Sequence, residues 1–262
     1  MAWVLRGLRD GIVTTPYPRR ADGYGAGYRG SVVVRDDAAA FDGVGLAEIC
    51  PTGAISVDTG DAPRALLDHG RCILCGRCVL ARPDLFAFDP SPEVASLAKR
   101  TLVVPHTAED DADLARLRAG LRRRTRALRR SIHIRHVDAG SDGSEEWEVA
   151  ALTNPVYDVQ RLGIFFTASP RHADILLATG AGTAGMAGPL LQTFEAMPEP
   201  RIVIATGTDA VSGGLVHRTY ATRGGIGSIL PVDVWVPGSP PSPFGILHGI
   251  LLAVGLLGAA TS

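Results

Sequence analysis

Four cysteines in the first third of this 262-residue chain have the spacing of a metal site. Three are separated from one another by two residues in "RCILCGRCVLARPD" and the fourth begins "CPTGAI"; they are Cys72, Cys75, Cys78 and Cys50. Such gaps let a tight loop aim three thiolates at one centre, and a fourth completes the ligand set of an iron–sulfur cluster. Structural zinc usually uses two separated C-x2-C pairs, so zinc fits less well, as do unligated thiols. A disulfide framework is disfavoured in the cytoplasmic setting that we expect.

The same run indicates that a second cluster is missing. In bacterial two-cluster ferredoxins C-x2-C-x2-C-x3-C-P occurs twice, and each cluster takes its fourth cysteine from the end of the other run. Here Arg82 occupies that last cysteine position before Pro83, and no cysteine precedes Cys50. One four-thiolate set is complete and the other is absent. The sequence therefore predicts one 4Fe-4S cluster per chain.

The chain resembles two hydrogenase subunits joined end to end. Residues 1 to about 95, including "RGLRDGIVTTPYPRR", are similar to the ferredoxin-type subunit of formate hydrogenlyase and related group 4 energy-converting nickel-iron hydrogenases. Residues from about 131 onward, with "SPRHADILLATG", "MPEPRIVIATG" and "PVDVWVPGSPP", are similar to the small subunit that those enzymes share with complex I. The resemblance implies a fusion of two electron-transfer subunits.

The resemblance also implies a cluster site in the second half that has lost its ligands. In that family, cysteines of the second domain hold a further 4Fe-4S cluster. The matching positions here carry oxygen side chains instead: Asp142, Glu145, Asp209 and Ser239. Hard oxygen ligands suit an iron-sulfide cluster poorly, so we expect that cluster to be absent. The carboxylates could bind a hard cation such as magnesium or a partner's arginine, but solvated or paired polar residues are favoured.

The elements that would position these residues are readable from apolar runs. "ADILLATG" and "RIVIATG" are short strands ending in glycine, separated by the helical "MAGPLLQTFEAM", which predicts a βαβ unit in a parallel sheet. "VYDVQRLGIFFT" would add a helix and a strand. Functional loops lie beyond the carboxyl ends of such strands. "GAGTAG" in one of them, with Asp209 beyond, imitates a dinucleotide-binding motif, which leaves a nucleotide-binding regulator as a weaker alternative.

We expect three parts along the chain. They are an α+β ferredoxin-like domain with an N-terminal extension over 1–105, a basic helical linker over 106–130, and an α/β flavodoxin-like domain over 131–262. The linker begins with acids and ends with arginines, as the helix dipole favours. Its arginines could face lipid phosphates or an acidic partner, or simply solvent.

The composition and the apolar stretches indicate where in the cell the chain is expected. With 262 residues, 46% of them apolar, the chain is long enough for two small cores; its net charge is -1, and we expect no secretory signal at its start. The apolar stretch 244–260 is short for a membrane span, so a helix packed on protein is expected. The chain is predicted to be cytoplasmic and peripheral to the membrane, with no nucleic acid bound.

The predicted function is that of a non-catalytic subunit. We expect an electron-transfer-type iron–sulfur subunit of a membrane-associated hydrogenase-like or complex-I-like oxidoreductase, docked on a large subunit and on membrane-arm subunits. The alternative is a structural or assembly subunit of a divergent ion-translocating complex without through-going electron transfer.

Overall fold

The computed structural model describes residues 2–20, 22, 27–35, 45–58, 63–126, 128 and 131–257. Two small antiparallel sheets lie in the first half: β1 pairs with β4, and β3 lies between β2 and β5. These strands are Ser31–Val34 (β1), Ile55–Asp58 (β2), Arg64–Asp68 (β3), Phe86–Asp89 (β4) and Val103–Val104 (β5). The helices of this half are Ala2–Asp10 (α1) and Arg77–Ala81 (α2).

A five-stranded parallel sheet forms the second half, in the order β10-β9-β8-β6-β7. Its strands are Ile132–Asp138 (β6), Ile164–Phe166 (β7), Ile175–Thr179 (β8), Ile202–Thr206 (β9) and Val234–Val236 (β10). Helices accompany it: Ser144–Ala151 (α4), Ala184–Glu195 (α5), Thr208–Ser212 (α6) and Pro243–Ala253 (α7). The central strands β8 and β9 are buried throughout, as expected for a parallel sheet covered on both faces.

The two faces of the sheet pack into separate apolar clusters. On β9, Ile202 and Ile204 join the cluster that includes α4 and α7, whereas Val203 and Ala205 join the one on the opposite face. This alternation follows from the two-residue period of a strand. It sets which side chains meet at the carboxyl end of the sheet.

The parallel sheet and the βαβ unit that the sequence predicted are confirmed. The helix after β8 begins at Ala184, two residues earlier than expected, and contains Pro189. Before β7 a single 3-10 turn, Val159–Leu162, replaces the predicted helix. The ferredoxin-like character of the first half and the division of the chain at residues 105 and 130 stay predictions.

The two halves are tightly joined. Ser96 forms a two-way backbone bridge with Trp235 of β10, with N···O distances of 2.9 and 2.8 Å. Arg161 donates to the carbonyls of Thr15 and Tyr17, at 2.7 Å each, and Tyr17 is buried in the core of the second half. The segment around Tyr17 therefore belongs structurally to the second half.

The predicted linker contains the helix Ala108–Arg124 (α3). Thr107 and Asp110 form a reciprocal capping box at its start, which satisfies two otherwise unpaired amides. Near its end, Arg124 pairs with Asp233, with an Nη1–Oδ1 distance of 2.5 Å, and Arg122 donates to the carbonyl of Leu257. These contacts attach α3 to the second half, so at least these arginines bind within the chain.

The expected terminal helix is α7, and it is packed on protein. Residues such as Ile246, Leu247 and Ile250 are fully buried against the sheet. Within the described ranges, none of the helices combines the length and apolar character needed to cross a bilayer.

Candidate metal centre

The four cysteines come from three neighbouring segments of the first half. Cys50 follows the 3-10 turn Ala47–Ile49, Cys72 and Cys75 lie in the loop from β3 to α2, and Cys78 lies in the first turn of α2. The loop turns through Gly76, whose φ of +74° is a conformation that glycine adopts without strain. A Cβ there would also lie 3.0 Å from the Phe88 ring, so a side chain at this position is disfavoured on both grounds.

All four cysteines line one pocket. The pocket is partly open to solvent, and its other walls include Val32, Ile49, Ile55 and Leu67. Cys78 is buried, Cys50 and Cys72 are half-buried, and Cys75 is exposed. The structure therefore brings together the set of thiols that the spacing predicted.

Amide groups point at two of the sulfurs. Ala54 N lies 3.2 Å from Cys50 Sγ, and Leu74 N lies 3.4 Å from Cys72 Sγ. Burial alone would raise the pKa of the Cys50 thiol, but hydrogen bonds from Thr52, Ala54 and Ile55 outweigh it and hold that pKa below its usual value. Such donors stabilise a thiolate and tune the potential of an iron–sulfur cluster.

The other three thiols interact electrostatically with the Cys72 thiol. Burial, together with charge repulsion from Cys78, Cys50 and Cys75, raises its pKa to about 12. A bound cation would reverse this effect, because a coordinating thiol is deprotonated outright. Four thiols, amide donors and an apolar wall fit a four-thiolate cluster. Among the described residues, the side chains as placed form no group of three or more His, Cys, Asp or Glu that could hold a metal ion.

Arg82 lies outside this pocket. Its guanidinium forms a bidentate ion pair with Asp84, with contacts of 2.9 Å to Oδ1 and 2.6 Å to Oδ2. Arg82 is thus not among the residues that line the pocket of the four thiols.

The four oxygen-bearing residues that the sequence analysis singled out in the second half lie at the carboxyl edge of the parallel sheet. Asp142 precedes α4 and accepts hydrogen bonds from the amide and hydroxyl of Ser144 at 2.9 and 2.6 Å. Glu145, in the first turn of α4, is only 1% exposed. Asp209 lies in α6, and Ser239 is exposed after β10.

The carboxyls of Asp142, Glu145 and Asp209 interact with one another electrostatically. Burial raises the pKa of Glu145 to about 7, and the charges of Asp209 and Asp142 push in the same direction. Burial, then Asp142, also raises the pKa of Asp209, whereas hydrogen bonds from Ser144 lower the pKa of Asp142. The structure does not join Ser239 to this group by any hydrogen bond among the described residues. That these positions once held cluster ligands stays a prediction.

A hydrogen bond connects this edge to the cysteine pocket. The Thr208 hydroxyl donates to the carbonyl of Cys72 at 3.0 Å and accepts from the amide of Gly238 at 3.2 Å. Next to it, a Cβ on Gly70 would lie 2.8 Å from Val211 of α6. The sequence carries no signal for Thr208, because its two partners are 136 and 30 residues away.

A second polar chain at this edge also escaped the sequence analysis. His136 Nε2 lies 3.0 Å from the Thr179 hydroxyl, Thr179 donates to Glu146, and Ser141 donates to the same carboxylate at 2.6 Å. Strand alternation could have placed His136 and Thr179 on the same face as α4, but their pairing requires the strand register.

The nucleotide alternative loses support from the packing of "GAGTAG". The amides of Ala181, Thr183 and Ala184 donate to the carbonyls of Gly140, Ala139 and Ala221. A Cβ on Gly180 or Gly182 would strike neighbouring backbone. A phosphate-binding loop needs free amides facing the ligand, and these amides face the protein.

Comparison with known proteins places the second half in a family. Residues 143–253 match the model of the NADH ubiquinone oxidoreductase 20 Kd subunit. The chain is 42% identical over 154 residues to formate hydrogenlyase subunit 7 of Escherichia coli, covering 59% of this chain and 58% of that one. It is 37% identical over 145 residues to the probable membrane-bound hydrogenase subunit mbhJ of Pyrococcus furiosus, covering 55% of this chain and 87% of the relative.

Solved structures give weaker matches. A chain of the membrane-bound sulfane sulfur reductase, an archaeal respiratory membrane complex, is 28% identical with a TM-score of 0.45. That match covers 52% of this chain and 76% of the other. A chain of an NAD+-reducing [NiFe]-hydrogenase is 21% identical with a TM-score of 0.38, covering 48% of this chain and 93% of the other.

The small-subunit resemblance inferred from the sequence is thus confirmed for the second half. The matches do not test the ferredoxin-type half or the loss of the second ligand set. The described fold, the residues matched by the family model and the coverage of the Pyrococcus relative together show that this chain belongs to the family of the complex I 20 kDa subunit and its hydrogenase counterparts.

Proposed function

We propose that the chain is an electron-transfer-type iron–sulfur subunit of a membrane-associated hydrogenase-like or complex-I-like oxidoreductase. It holds one 4Fe-4S cluster on Cys50, Cys72, Cys75 and Cys78 and docks on a large subunit and membrane-arm subunits at the cytoplasmic face. The observation that carries the proposal is the single pocket lined by all four thiols. The names of the hydrogenase relatives support the setting.

In this proposal residues 1–105 act as a ferredoxin-like domain. When bound, a 4Fe-4S cluster accepts and returns one electron at a time. The chain's own residues hold it with four thiolates, donate amide hydrogens from Ala54 and Leu74 to two sulfurs, and exclude water with Val32, Ile55 and Leu67. Burial and amide donors both shift a cluster's potential, so this wall selects the range of partners with which electrons are exchanged.

Iron and sulfide analysis tests the cofactor. The anaerobically purified chain is expected to contain about four irons and about four acid-labile sulfides, the content of one cubane. Cys75→Ser should lose the cluster's absorption, whereas the matched change Arg82→Ala, outside the pocket, should retain it. Values near zero in the parent chain would refute the cluster. Values near twice the expected content would mean that the second half also binds one.

The second candidate function is a structural or assembly subunit without through-going electron transfer. It is favoured by the carboxylates and hydroxyl at the predicted ligand positions of the second half, which leave no thiol there to continue a relay. The two functions separate in the intact complex isolated from membranes. An electron-transfer subunit's cluster becomes reduced and reoxidised as the complex is given its electron donor and acceptor, and a structural cluster stays in one state.

A further inference from the structure

Glu145 is a buried carboxyl with few compensating contacts. It is 1% exposed, and its carboxylate lies against the backbone of Gly207, where a Cβ would be 2.5 Å from Oε1. The Ser144 hydroxyl, which donates to Asp142 at 2.6 Å, lies 3.2 Å from Oε2, and the backbone amide of Glu145 itself donates to the carboxylate. A buried carboxylate in such surroundings is costly unless it binds a proton or a cation.

An unpartnered hydroxyl lies on the same face of the parallel sheet as Glu145. Thr206 is fully buried, and its Oγ1 has no hydrogen-bond partner. On β9 it lies two residues beyond Ile204, so its side chain points to the face covered by α4. Glu145 lies one helical turn before Val149, which packs in that same cluster. Both groups therefore lie on the sheet face covered by α4, and an orphaned buried hydroxyl indicates a missing bonding partner.

The other charged groups facing Glu145 are acidic or already paired. Asp209 on α6 and Asp142 before α4 both act on it as like charges. Beyond them, His136 of β6 is paired with Glu146 at 3.6 Å. On α7, which packs on α4, His248 accepts from the amide of Ala95 at 3.2 Å, and burial lowers its pKa to about 4. No cation thus neutralises Glu145 from these elements.

A short series of contacts connects the Glu145 carboxyl to the cysteine pocket. Glu145 packs on Gly207, the next residue Thr208 donates to the carbonyl of Cys72, and Cys72 lines the pocket. A negative charge added at the pocket therefore raises the electrostatic cost of ionising Glu145, because solvent screens a buried carboxyl poorly.

We propose that Glu145 is a proton-binding site coupled to the oxidation state of the cysteine-bound cluster. The inference rests on the proposed function, since it requires a cluster at the four thiols. When a one-electron donor reduces the cluster, the Glu145 carboxylate takes one proton from water and an O–H bond forms at a carboxylate oxygen. On oxidation by a one-electron acceptor that bond breaks and the proton returns to water.

Burial of Glu145 brings its proton exchange into the physiological pH range. Because the pKa of Glu145 is raised to about 7, small changes in nearby charge alter its protonation near neutral pH. Reduction of the cluster raises the pKa further, so a pH interval exists in which electron and proton arrive together. An exposed carboxylate titrates far below that interval.

Redox titration of the full anaerobic chain at several pH values tests the coupling. The cluster's midpoint potential is expected to fall with rising pH through the neutral range, with a slope approaching one proton per electron. Glu145→Gln should give a potential independent of pH there. The matched change Glu195→Gln, on the exposed surface of α5, should keep the parent slope. Redox-difference infrared spectra should show a carboxylic acid signal on reduction that Glu145→Gln lacks.

A second variant keeps the test decisive if Glu145→Gln does not fold. Asp209→Asn removes one like charge, so the interval of pH dependence should move to lower pH. A pH-independent potential in the parent chain, or a slope unchanged in Glu145→Gln, overturns the inference while leaving the cluster intact. Absence of iron in the parent chain overturns the proposed function instead, so the two failures are distinguishable.

Discussion

Burial and charge act in the same direction on the carboxyl group of Glu145. Its pKa is about 7 in the folded chain against an ordinary 4.5. Between these values the unfolded chain has released the proton and the folded chain has kept it. The free energy of unfolding therefore falls as pH rises from about 4.5 to about 7, and this contribution is constant above that range.

Replacing Glu145 by glutamine should remove this pH dependence. The parent's melting temperature is expected to fall relative to that of Glu145→Gln between about pH 5 and pH 7.5. At pH 8 the variant should be more stable by about 1–3 kcal/mol, since it buries no charge. Anaerobic thermal unfolding across pH measures both effects, with Glu195→Gln as the control. Parallel pH curves for the parent and Glu145→Gln would contradict the raised pKa.

At the scale of elements, the turn after β3 packs directly on α6. Gly70 lies against Val211, which is fully buried, and Thr208 bonds the carbonyl of Cys72. A methyl group at Gly70 would meet Val211 Cγ1 at 2.8 Å and Leu102 Cδ1 at 3.2 Å. This close approach couples the position of the cysteine loop to that of α6.

Gly70→Ala should therefore destabilise the chain by about 1–3 kcal/mol through overpacking. Val211→Ala removes the methyl groups in the way, so the double variant should be less destabilised than the sum of the two single changes, by about 0.5–2 kcal/mol. Denaturant unfolding under anaerobic conditions measures the cycle. Additive effects would mean that Gly70 and Val211 are not in contact.

Gly120→Ala is a control with the opposite sign. Gly120 lies inside α3, and a Cβ there meets no atom within 4 Å. Alanine should stabilise the helix by about 0.5–1 kcal/mol because glycine loses more backbone freedom on folding.

The elements themselves were largely readable from the sequence, but the contacts between them were not. The runs "ADILLATG" and "RIVIATG" predicted β8 and β9 because buried parallel strands are continuous apolar segments. The pairing of Ser96 with Trp235 and the bond from Thr208 to Cys72 join residues more than 130 positions apart. No local pattern encodes such contacts, because they arise only when the two halves pack together.

At the scale of the whole molecule, the exposed apolar side chains include groups on two segments. Trp3, Leu5 and Leu8 of α1 are 79%, 67% and 77% exposed. In the segment after α6, Leu215 and Val216 are 60% and 52% exposed. Exposed apolar residues that lie together mark interaction surfaces more often than isolated exposed apolar residues do. They fit the proposed place of the chain in a larger assembly.

A tagged chain purified from native membranes should therefore bring a hydrogenase-like or complex-I-like large subunit with it. We expect the second half to bury about 2,000 Å² or more against that partner, with Asp142, Glu145 and Asp209 near the contact. Leu215→Glu with Val216→Glu should weaken recovery, because this segment follows α6 and Asp209 directly. Mass spectrometry of the eluate measures recovery.

Leu191→Glu is the control for that experiment. Leu191 is 41% exposed on α5, outside the segment changed, and should leave recovery unaltered. Recovery of the parent chain as a monomer without a large subunit would argue against the proposed assembly.

The unequal burial of the four thiols has a consequence for handling the protein in air. Cys75 is exposed, whereas Cys78 is buried and Cys50 and Cys72 are half-buried. With the proposed cluster in place, dissolved oxygen meets it first at the Cys75 corner, and the iron held there is the first to be lost. Chain purified in air is therefore expected to be damaged from that one side, leaving a partial cluster on the three sheltered thiols before the whole cluster is lost.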